Sequence, residues 1–317
     1  MIATLTVALL GVLTTGQASV LTAHPPIVVP GKAGGFDYMK VDNKKRRVFA
    51  SHSKVGMFTV FELKTGKVHE INTGEVNGIA IDEADNLVLV GGGGQHVISL
   101  NRDSLAKKGD LKVNGPGDDI ELDPKHGKLY VDHDDGTEVW VVNPKTMNLI
   151  GTITVEEAPE FVVYSPRADR LYQNIKSTDH LQVINTATDK VVATWPTAPE
   201  SKPHGLAIDE KTSRVFSVGS NGKMDVMNLK TGKILQVIDV KSGVDQIVFD
   251  TGNRRVYCAA KGFISVVQEN ADGSASLLAN VASPMGAHTI TVDPMTHDVW
   301  ICYADKKASY LQRFSVR

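Results

Sequence analysis

Several motifs that indicate catalysis are missing from this sequence. It contains no G-x-S-x-G, H-E-x-x-H or P-loop pattern and no pair of C-x-x-C motifs, so serine hydrolases, zincins, nucleotide hydrolases and zinc ribbons have no support. The glycine run from Gly91 to Gly94 is not a phosphate loop, because no helical pattern follows it. Any site must therefore be built from residues that the fold brings together.

Neither acidic nor basic residues are in clear excess, and aromatic residues are few. The 34 basic and 36 acidic residues give a formal net charge of -2, and aromatic residues make up 6% of the chain. A chain without a basic patch or an aromatic stripe has little to attract phosphates or to stack on bases. We therefore predict no nucleic-acid partner.

The first eighteen residues contain no Asp, Glu, Lys or Arg. Their apolar run from Ile2 to Leu13 is shorter than the roughly 20 residues that a membrane helix needs, and small residues follow at Gly16 and Ala18. This pattern is typical of a signal peptide over residues 1–18, although the usual basic residue is missing. We expect a periplasmic or secreted protein with one domain over residues 19–317 and no membrane span once the signal peptide is removed.

A repeat of about forty residues runs along the rest of the chain. Each unit has an apolar strand ending at a turn residue, usually Asp, then a strand such as RVF or KLYV, a polar loop, a third strand and a turn before a fourth strand. Four short strands in each of seven units predict an all-β fold, a seven-bladed β-propeller with almost no helix. The first strands end at Asp42, Asp82, Asp123, Ser165, Asp209, Asp250 and Asp293.

The seventh unit stops at Arg317 after three strands, which would leave an unpaired sheet edge. Residues 27–29 and the stretch PGKAGGFDYMKVD after them match the run VIDVKSGVDQIVFD from Val237, where a fourth strand leads into the next first strand. We therefore predict that this N-terminal strand is the outer strand of the last blade. It should close the ring by pairing with residues 310–314.

Two units carry the strand and turn pattern most clearly. They are KLYVDHDDGTEVWVVNPKTMNLIGTI from Lys128 and RLYQNIKSTDHLQVINTATDKVVATW from Arg170, and they are similar to the LYVAN, VSVID and T-x-K-V-V-A-T-I elements of a known repeat. In these elements the chain resembles the YVTN family of β-propeller repeats and the YncE-like secreted proteins. The resemblance covers residues 27–317 and implies a WD-repeat-like propeller. It implies no single activity, because the shared residues are structural and family members are reported as cell-surface, nucleic-acid-binding or uncharacterised proteins.

One repeat position is polar in every unit. Five residues before each turn residue, at the start of the innermost strand, the side chain can bind a ligand, whereas those two and four residues later are apolar. Because the innermost strands of a propeller line its central channel, we expect these side chains to form a ring at the channel mouth. The ring consists of Asp37, Asn77, Asp118, Glu160, His204, Asp245 and His288.

Four carboxylates and two histidines on one axis suit a divalent cation. Oxygen ligands hold Ca²⁺ or Mg²⁺, and imidazole adds affinity for Zn²⁺ or Mn²⁺, so one of these metal ions is the cofactor hypothesis. The hypothetical metal ligands are His204, His288, Asp118, Glu160 and Asp245. The ring also suits acid and base chemistry, since crowded carboxylates raise one another's pKa. The alternative is a set of hydrated channel residues without a ligand.

Loops between second and third strands reach the same face. His52 follows the second strand of the first unit and His133 that of the third, so we count both among the ligand-binding candidates. The run DHDD at residues 132–135 is a metal-ligand hypothesis for which an acidic β-turn is the simpler explanation. On the inner strands, we expect Lys40 to neutralise Glu121 across the channel.

The two cysteines, Cys258 and Cys302, fall on the second strands of adjacent blades. Neighbouring sheets pack about 10 Å apart and a disulfide needs Cα atoms within roughly 7 Å, so we expect buried free thiols.

Two functions are open. The first is an exported, non-catalytic propeller that binds a small molecule, a metal ion or a protein partner at its polar mouth, and we expect it to be a monomer. The second is a metal-dependent hydrolase, lactonase or lyase that uses the same carboxylates and histidines. The sequence has no matching lactonase motif and no evident second catalytic set, which favours binding.

Overall fold

The computed structural model describes residues 20–317, and the predicted signal peptide over residues 1–18 lies outside them. The described residues form 29 strands and one 3-10 helix, Ser53–Val55, and the strands make seven antiparallel sheets. Each inner strand contacts that of the next sheet, and the last contacts the first, which closes a circle around one channel. The prediction of an all-β, seven-bladed propeller with four-stranded blades and almost no helix is confirmed.

The blades are numbered in chain order, and each is given from its inner to its outer strand. Blade 1 consists of β3 (Met39–Asp42), β4 (Arg47–His52), β5 (Met57–Glu62) and β6 (Val68–Asn72), and blade 2 of β7 (Ile79–Asp82), β8 (Leu87–Gly91), β9 (His96–Asn101) and β10 (Lys107–Lys112). Blade 3 consists of β11 (Gly117–Asp123), β12 (Lys128–His133), β13 (Glu138–Asn143) and β14 (Asn148–Thr154), and blade 4 of β15 (Pro159–Ser165), β16 (Arg170–Ile175), β17 (His180–Asn185) and β18 (Lys190–Pro196). Blade 5 consists of β19 (Pro203–Asp209), β20 (Arg214–Gly219), β21 (Lys223–Asn228) and β22 (Ile234–Asp239), and blade 6 of β23 (Val244–Asp250), β24 (Arg255–Ala260), β25 (Phe263–Glu269) and β26 (Ala275–Ala282). Blade 7 consists of β27 (Thr289–Val292), β28 (Val299–Ala304) and β29 (Ser309–Val316), with β2 (Ile27–Val29) and β1 (Leu21–Ala23) at its outer edge.

The N-terminal segment closes the circle, as predicted. In the pairing of β2 with β29, Ile27 lies opposite Leu311 and Val29 opposite Ser309. The sequence did not indicate β1, which pairs with residues 314–316 of the same strand. The outer strand is therefore in two pieces, and the break falls at Pro25 and Pro26, which have no N–H to donate to the sheet.

The repeated turn residue has a structural use in every unit. Its side-chain oxygen accepts a backbone N–H from a residue two or three positions later, which fixes the turn after the inner strand. Several of these carboxylates also bind a basic residue of the next blade. Arg102 of blade 2 donates two hydrogen bonds to Asp42, with Nε 2.9 Å from Oδ2, and Arg46 of blade 1 pairs with Asp293 of blade 7.

The apolar core lies between adjacent blades. Cys258 packs among side chains of blades 5 and 6, whereas Cys302 packs among those of blades 7 and 1. Both thiols are buried and free, as expected, and they belong to different clusters. In the part of the chain that the structure describes, no helix has the length and apolar character needed to cross a bilayer.

Candidate functional site

A β-bulge at the start of the inner strands determines where the ring side chains point. Strict alternation would place a ring residue on the same side of the strand as the apolar residues two and four positions later, between blades. In blades 3 to 6 the inner strand carries one extra residue opposite the second strand, for example between Pro203 and Gly205 of β19. A bulge of this kind re-aims a side chain, so the ring residue leaves the core and reaches the channel.

Three ring residues from consecutive blades come together. Glu160 of β15, His204 of β19 and Asp245 of β23 each offer one ligand atom, and these three atoms lie within 4.8 Å of one another. His204 Nε2 is 3.5 Å from Glu160 Oε1. A tetrahedral Zn²⁺ with bonds of about 2.0–2.1 Å holds its ligand atoms about 3.3 Å apart, so this spacing fits two ligands of one ion.

A hydrogen bond to the backbone orients the ring of His204. Its Nδ1 lies 2.7 Å from the carbonyl oxygen of Lys202. Because a carbonyl only accepts, Nδ1 carries a hydrogen, and the hydrogen bond holds the ring with Nε2 toward Glu160. Metal-bound histidines generally use their second nitrogen in this way.

Asp37 and Asp118 line a small cavity directly beside these residues. The cavity measures about 30 Å³ and is also lined by Glu160 and Asp245. Burial and the charge of Asp245 raise the pKa of Asp37 to about 7, and burial with the charges of Asp37 and Glu160 raises the pKa of Asp118 well above its usual range. The space suits one water molecule or one ion, and the walls hold too little positive charge for all the carboxyl groups to ionise.

His288 reaches the site through Asp245. Its Nδ1 is 2.6 Å from Asp245 Oδ2, and hydrogen bonding with Asp245 raises the pKa of His288. The same histidine lowers the pKa of Asp245 against the opposing effect of burial. His288 therefore orients Asp245, while Glu160, His204 and Asp245 supply the converging atoms.

Three other candidates, Asn77, His52 and His133, do not converge with this group. Asn77 donates from Nδ2 to the carbonyl oxygen of Gly117 at 3.2 Å, so it bridges blades 2 and 3. The prediction that His52 belongs to the mouth is wrong, because its fully buried ring stacks on Phe36 and its Nε2 lies 2.9 Å from Ser309 Oγ. His52 instead joins blade 1 to blade 7.

The loop after β12 is a turn rather than a ligand set. His133 stacks on Trp140 of its own blade, with ring centroids 4.7 Å apart, and Asp135 is exposed with a left-handed backbone. Asp132 is fully buried and accepts a hydrogen bond from Gln173 Nε2 at 2.9 Å. These three side chains lie in different surroundings, which favours the acidic β-turn over a metal site in the DHDD run.

Lys176 is a member of the site that the sequence analysis missed. It follows β16, and its Nζ lies 2.6 Å from Glu160 Oε2, the oxygen that His204 does not face. Only its place just after a second strand could have indicated it, because those loops share a face with the ring. Lys176 holds Glu160 in place and supplies part of the positive charge at the mouth.

Comparisons with known proteins agree with this architecture. The solved WD40 repeats of RRP9 superpose with a TM-score of 0.79 at 10% identity, covering 93% of this chain and 100% of that one. The WD40 β-propeller domain of Doa1 gives a TM-score of 0.75 at 14% identity, covering 95% of this chain and 97% of that one. This chain has the fold of the WD40 β-propellers.

At 10% and 14% identity, the similarity of this chain to the two solved propellers shows the fold alone. No family model matches the sequence, so membership of the YVTN family remains a prediction. No curated protein matches it either. The function of this propeller must therefore be argued from its own residues.

Proposed function

We propose that the protein is a metal-binding β-propeller that holds one divalent cation at its channel mouth, with Glu160, His204 and Asp245 as ligands. The observation that carries this proposal is the fixed orientation of His204, whose Nε2 faces two carboxylates within 4.8 Å. Two carboxylates balance the charge of the ion, and the imidazole favours Zn²⁺ or Mn²⁺ over Ca²⁺ and Mg²⁺. A fourth position would be left for water or for a group of a bound small molecule or protein.

Metal binding should depend on pH through the neighbouring carboxyl groups. Burial raises the pKa of Asp118 and, with the charge of Asp245, raises that of Asp37 to about 7, so Asp37 mostly holds a proton at pH 6, and a cation bound beside these groups favours proton loss. Affinity should therefore rise between pH 6 and pH 8, while protons leave Asp37. Protonation of His288, whose pKa is raised by hydrogen bonding with Asp245, acts in the same direction, because a protonated imidazole repels the ion.

The test uses protein that was purified without an affinity tag. Elemental analysis should find about one zinc or manganese per chain, and titration calorimetry on the metal-free protein should give one site. The melting temperature should rise with added metal, since a ligand at a hundredfold excess over its dissociation constant stabilises by about 2.7 kcal/mol.

His204→Gln should lose this rise, and His180→Gln is the matched control. His180 also pairs with a carboxylate, Glu156, at 2.7 Å, but it lies outside the ring. If no divalent ion shifts the melting temperature and none co-purifies, the ring is a hydrated channel mouth.

A metal-dependent hydrolase or lactonase is the second candidate. Asp37 favours it, because its pKa is about 7 without a metal ion and a bound cation would promote its ionised form, which can accept a proton from a water molecule. Lactone or ester hydrolysis that requires the metal and is lost in Asp37→Asn would favour this candidate over simple binding.

The cellular location belongs to the same proposal. The uncharged, apolar residues 1–18 support export to the periplasm or the medium as a YncE-like propeller. N-terminal sequencing of the mature protein from an extracytoplasmic fraction checks it, and the expected first residue is Ser19.

A further inference from the structure

The central channel contains a second, larger cavity on the other side of the ring. It measures about 340 Å³ and is here called the lower chamber. Tyr38, Phe161 and Gln246 line both this chamber and the small cavity at the ring, so they form the layer between the two. The Tyr38 and Phe161 rings stack with centroids 5.8 Å apart, and Gln246 donates to the carbonyl oxygen of Asp37 at 2.6 Å. The lower chamber is therefore a separate space from the proposed metal site.

Most of the chamber wall is apolar. Val163, Ile208, Phe249 and Val292 come from the inner strands of blades 4 to 7, and each is only partly buried by the protein. The volume falls within the range of about 300–1,000 Å³ that is typical of small-molecule sites. It is roughly twice the cavity of about 150 Å³ that holds benzene in an engineered protein interior.

The two acidic side chains of the chamber are turned to its wall. Asp119 accepts the backbone N–H of Ile120 at 2.8 Å and that of Val162 at 3.1 Å. Glu121 accepts a backbone hydrogen bond from Tyr164, on the same strand as Val162. Burial raises the pKa of both carboxyl groups, and the charge of Lys40 acts in the opposite direction. Their hydrogen bonds to the backbone of Val162 and Tyr164 join blade 3 to blade 4.

Lys40 is different. Of the described residues that line the chamber, it alone carries a cationic group. As expected from the sequence, it faces Glu121, with Nζ 3.7 Å from Oε2, and its side chain is 46% exposed. Lys40 and Glu121 form an ion pair, but an ammonium has three N–H donors and this one is half-exposed, so donors remain for a ligand.

We propose that the lower chamber binds a small apolar carboxylate, with its body against the apolar wall and its carboxylate on Lys40. An ammonium at the edge of an apolar cavity makes charge-assisted hydrogen bonds that a neutral ligand of the same shape cannot match. The chamber would then be selective for charge as well as for size. This inference does not depend on the metal at the opposite mouth.

Three probes of nearly equal size test the charge preference. They are 4-phenylbutyrate, 4-phenylbutanamide and 4-phenylbutylamine, measured by titration calorimetry on the full chain at pH 7. We expect the acid to bind about tenfold or more tightly than the amide, and the amine most weakly. Equal binding of acid and amide, tighter binding of the amine, or no binding of the acid at millimolar concentration would overturn the proposal.

Variants then locate the site. Lys40→Met should lower the affinity for the acid about tenfold, to the level of the amide, and leave the amide unchanged. Lys112→Met, an exposed lysine of the outer strand β10, is the matched control and should change nothing. Val163→Phe fills the chamber and should weaken acid and amide together.

Each variant is first checked by its melting curve, and Lys40→Gln replaces Lys40→Met if the latter does not fold. If a folded Lys40 variant keeps the preference for the acid, or if folded Val163→Phe binds like the wild type, the site lies elsewhere and the proposal is wrong. His204→Gln should leave acid binding intact, which separates this test from that of the metal site.

Discussion

At the scale of single residues, two buried carboxyl groups lie outside both the ring and the lower chamber. They are Asp225 and Glu200. Asp225 of β21 is fully buried, and within residues 20–317 neither of its oxygens has a hydrogen-bond partner. Glu200, on the loop between β18 and β19, accepts a hydrogen bond from Ser217 at 2.8 Å with one oxygen only. Burial raises the pKa of Asp225 to about 7 and that of Glu200 well above its usual range, with the charge of Asp225 adding to the latter. Both groups therefore favour their protonated forms inside the fold.

These groups should make the protein less stable as the pH rises. An acid whose pKa is higher in the folded state binds its proton more tightly there, so the stabilisation is complete below about pH 4 and is lost as the pH passes through the folded value. Asp225→Asn should be more stable than the wild type at pH 8, by about 4 kcal/mol for a pKa raised by about three units, and should lose the advantage near pH 4. Urea unfolding at a series of pH values measures this, with the exposed Asp239→Asn of β22 as the control. A variant with the same pH dependence as the wild type would show that Asp225 titrates normally.

At the scale of elements, the outer strand of blade 7 decides whether the circle is closed. β1 and β2 come from one end of the chain and β29 from the other, so their pairing ties the two ends together. His52 of blade 1 supports the same junction through Gly34 and Ser309, with its Nε2 3.0 Å from the Gly34 carbonyl oxygen. Val29 and Leu21 are buried in the clusters on either side of blade 7.

Removal of residues 19–30 should therefore cost much of the stability. It would expose the edge of β29, with its unpaired N–H and C=O groups, and would uncover apolar side chains at both faces of blade 7. We expect a lower melting temperature and concentration-dependent aggregation, followed by light scattering. The control removes residues 1–18 only, which gives the predicted mature protein, and it should melt like the full-length chain. Equal melting of the two proteins would contradict closure by this strand.

At the scale of the whole molecule, charge is balanced overall and concentrated locally. The formal net charge is -2, and the ring at the mouth is rich in carboxyl groups. Basic side chains near the carboxylates are largely engaged in ion pairs, as Lys176 is with Glu160 and Arg102 with Asp42. This charge distribution gives the described part of the propeller little attraction for phosphates.

Nucleic-acid binding should accordingly be weak. Any affinity for single-stranded DNA should fall steeply between 50 and 200 mM salt, because only scattered surface lysines would contribute by counterion release. Fluorescence anisotropy with a labelled oligonucleotide measures this across the salt series. Tight binding at 150 mM salt would show a basic surface that the charge distribution does not indicate.

The sequence specified the architecture because a propeller is a repeated local pattern. Strand, turn residue and strand recur within about forty residues, so each blade could be predicted from its own segment, and the incomplete seventh unit indicated the closure. The ring position was found in the same way, because seven units carry a polar residue at one place. A feature that recurs at a fixed spacing can be predicted without knowledge of contacts between distant parts of the chain.

Only the tertiary structure decided what each member of the ring does. The bulges in β11, β15, β19 and β23 turned the ring residues toward the channel against the alternation of the strand. Contacts between blades then separated Glu160, His204 and Asp245, which converge, from Asn77, which bonds to a neighbouring backbone. The contact of Lys176 with Glu160 and the buried position of His52 could not be predicted, because both depend on groups brought close by folding. A repeat fixes the position of a residue along its strand. The contacts of its side chain are set by packing between blades that are far apart in the sequence.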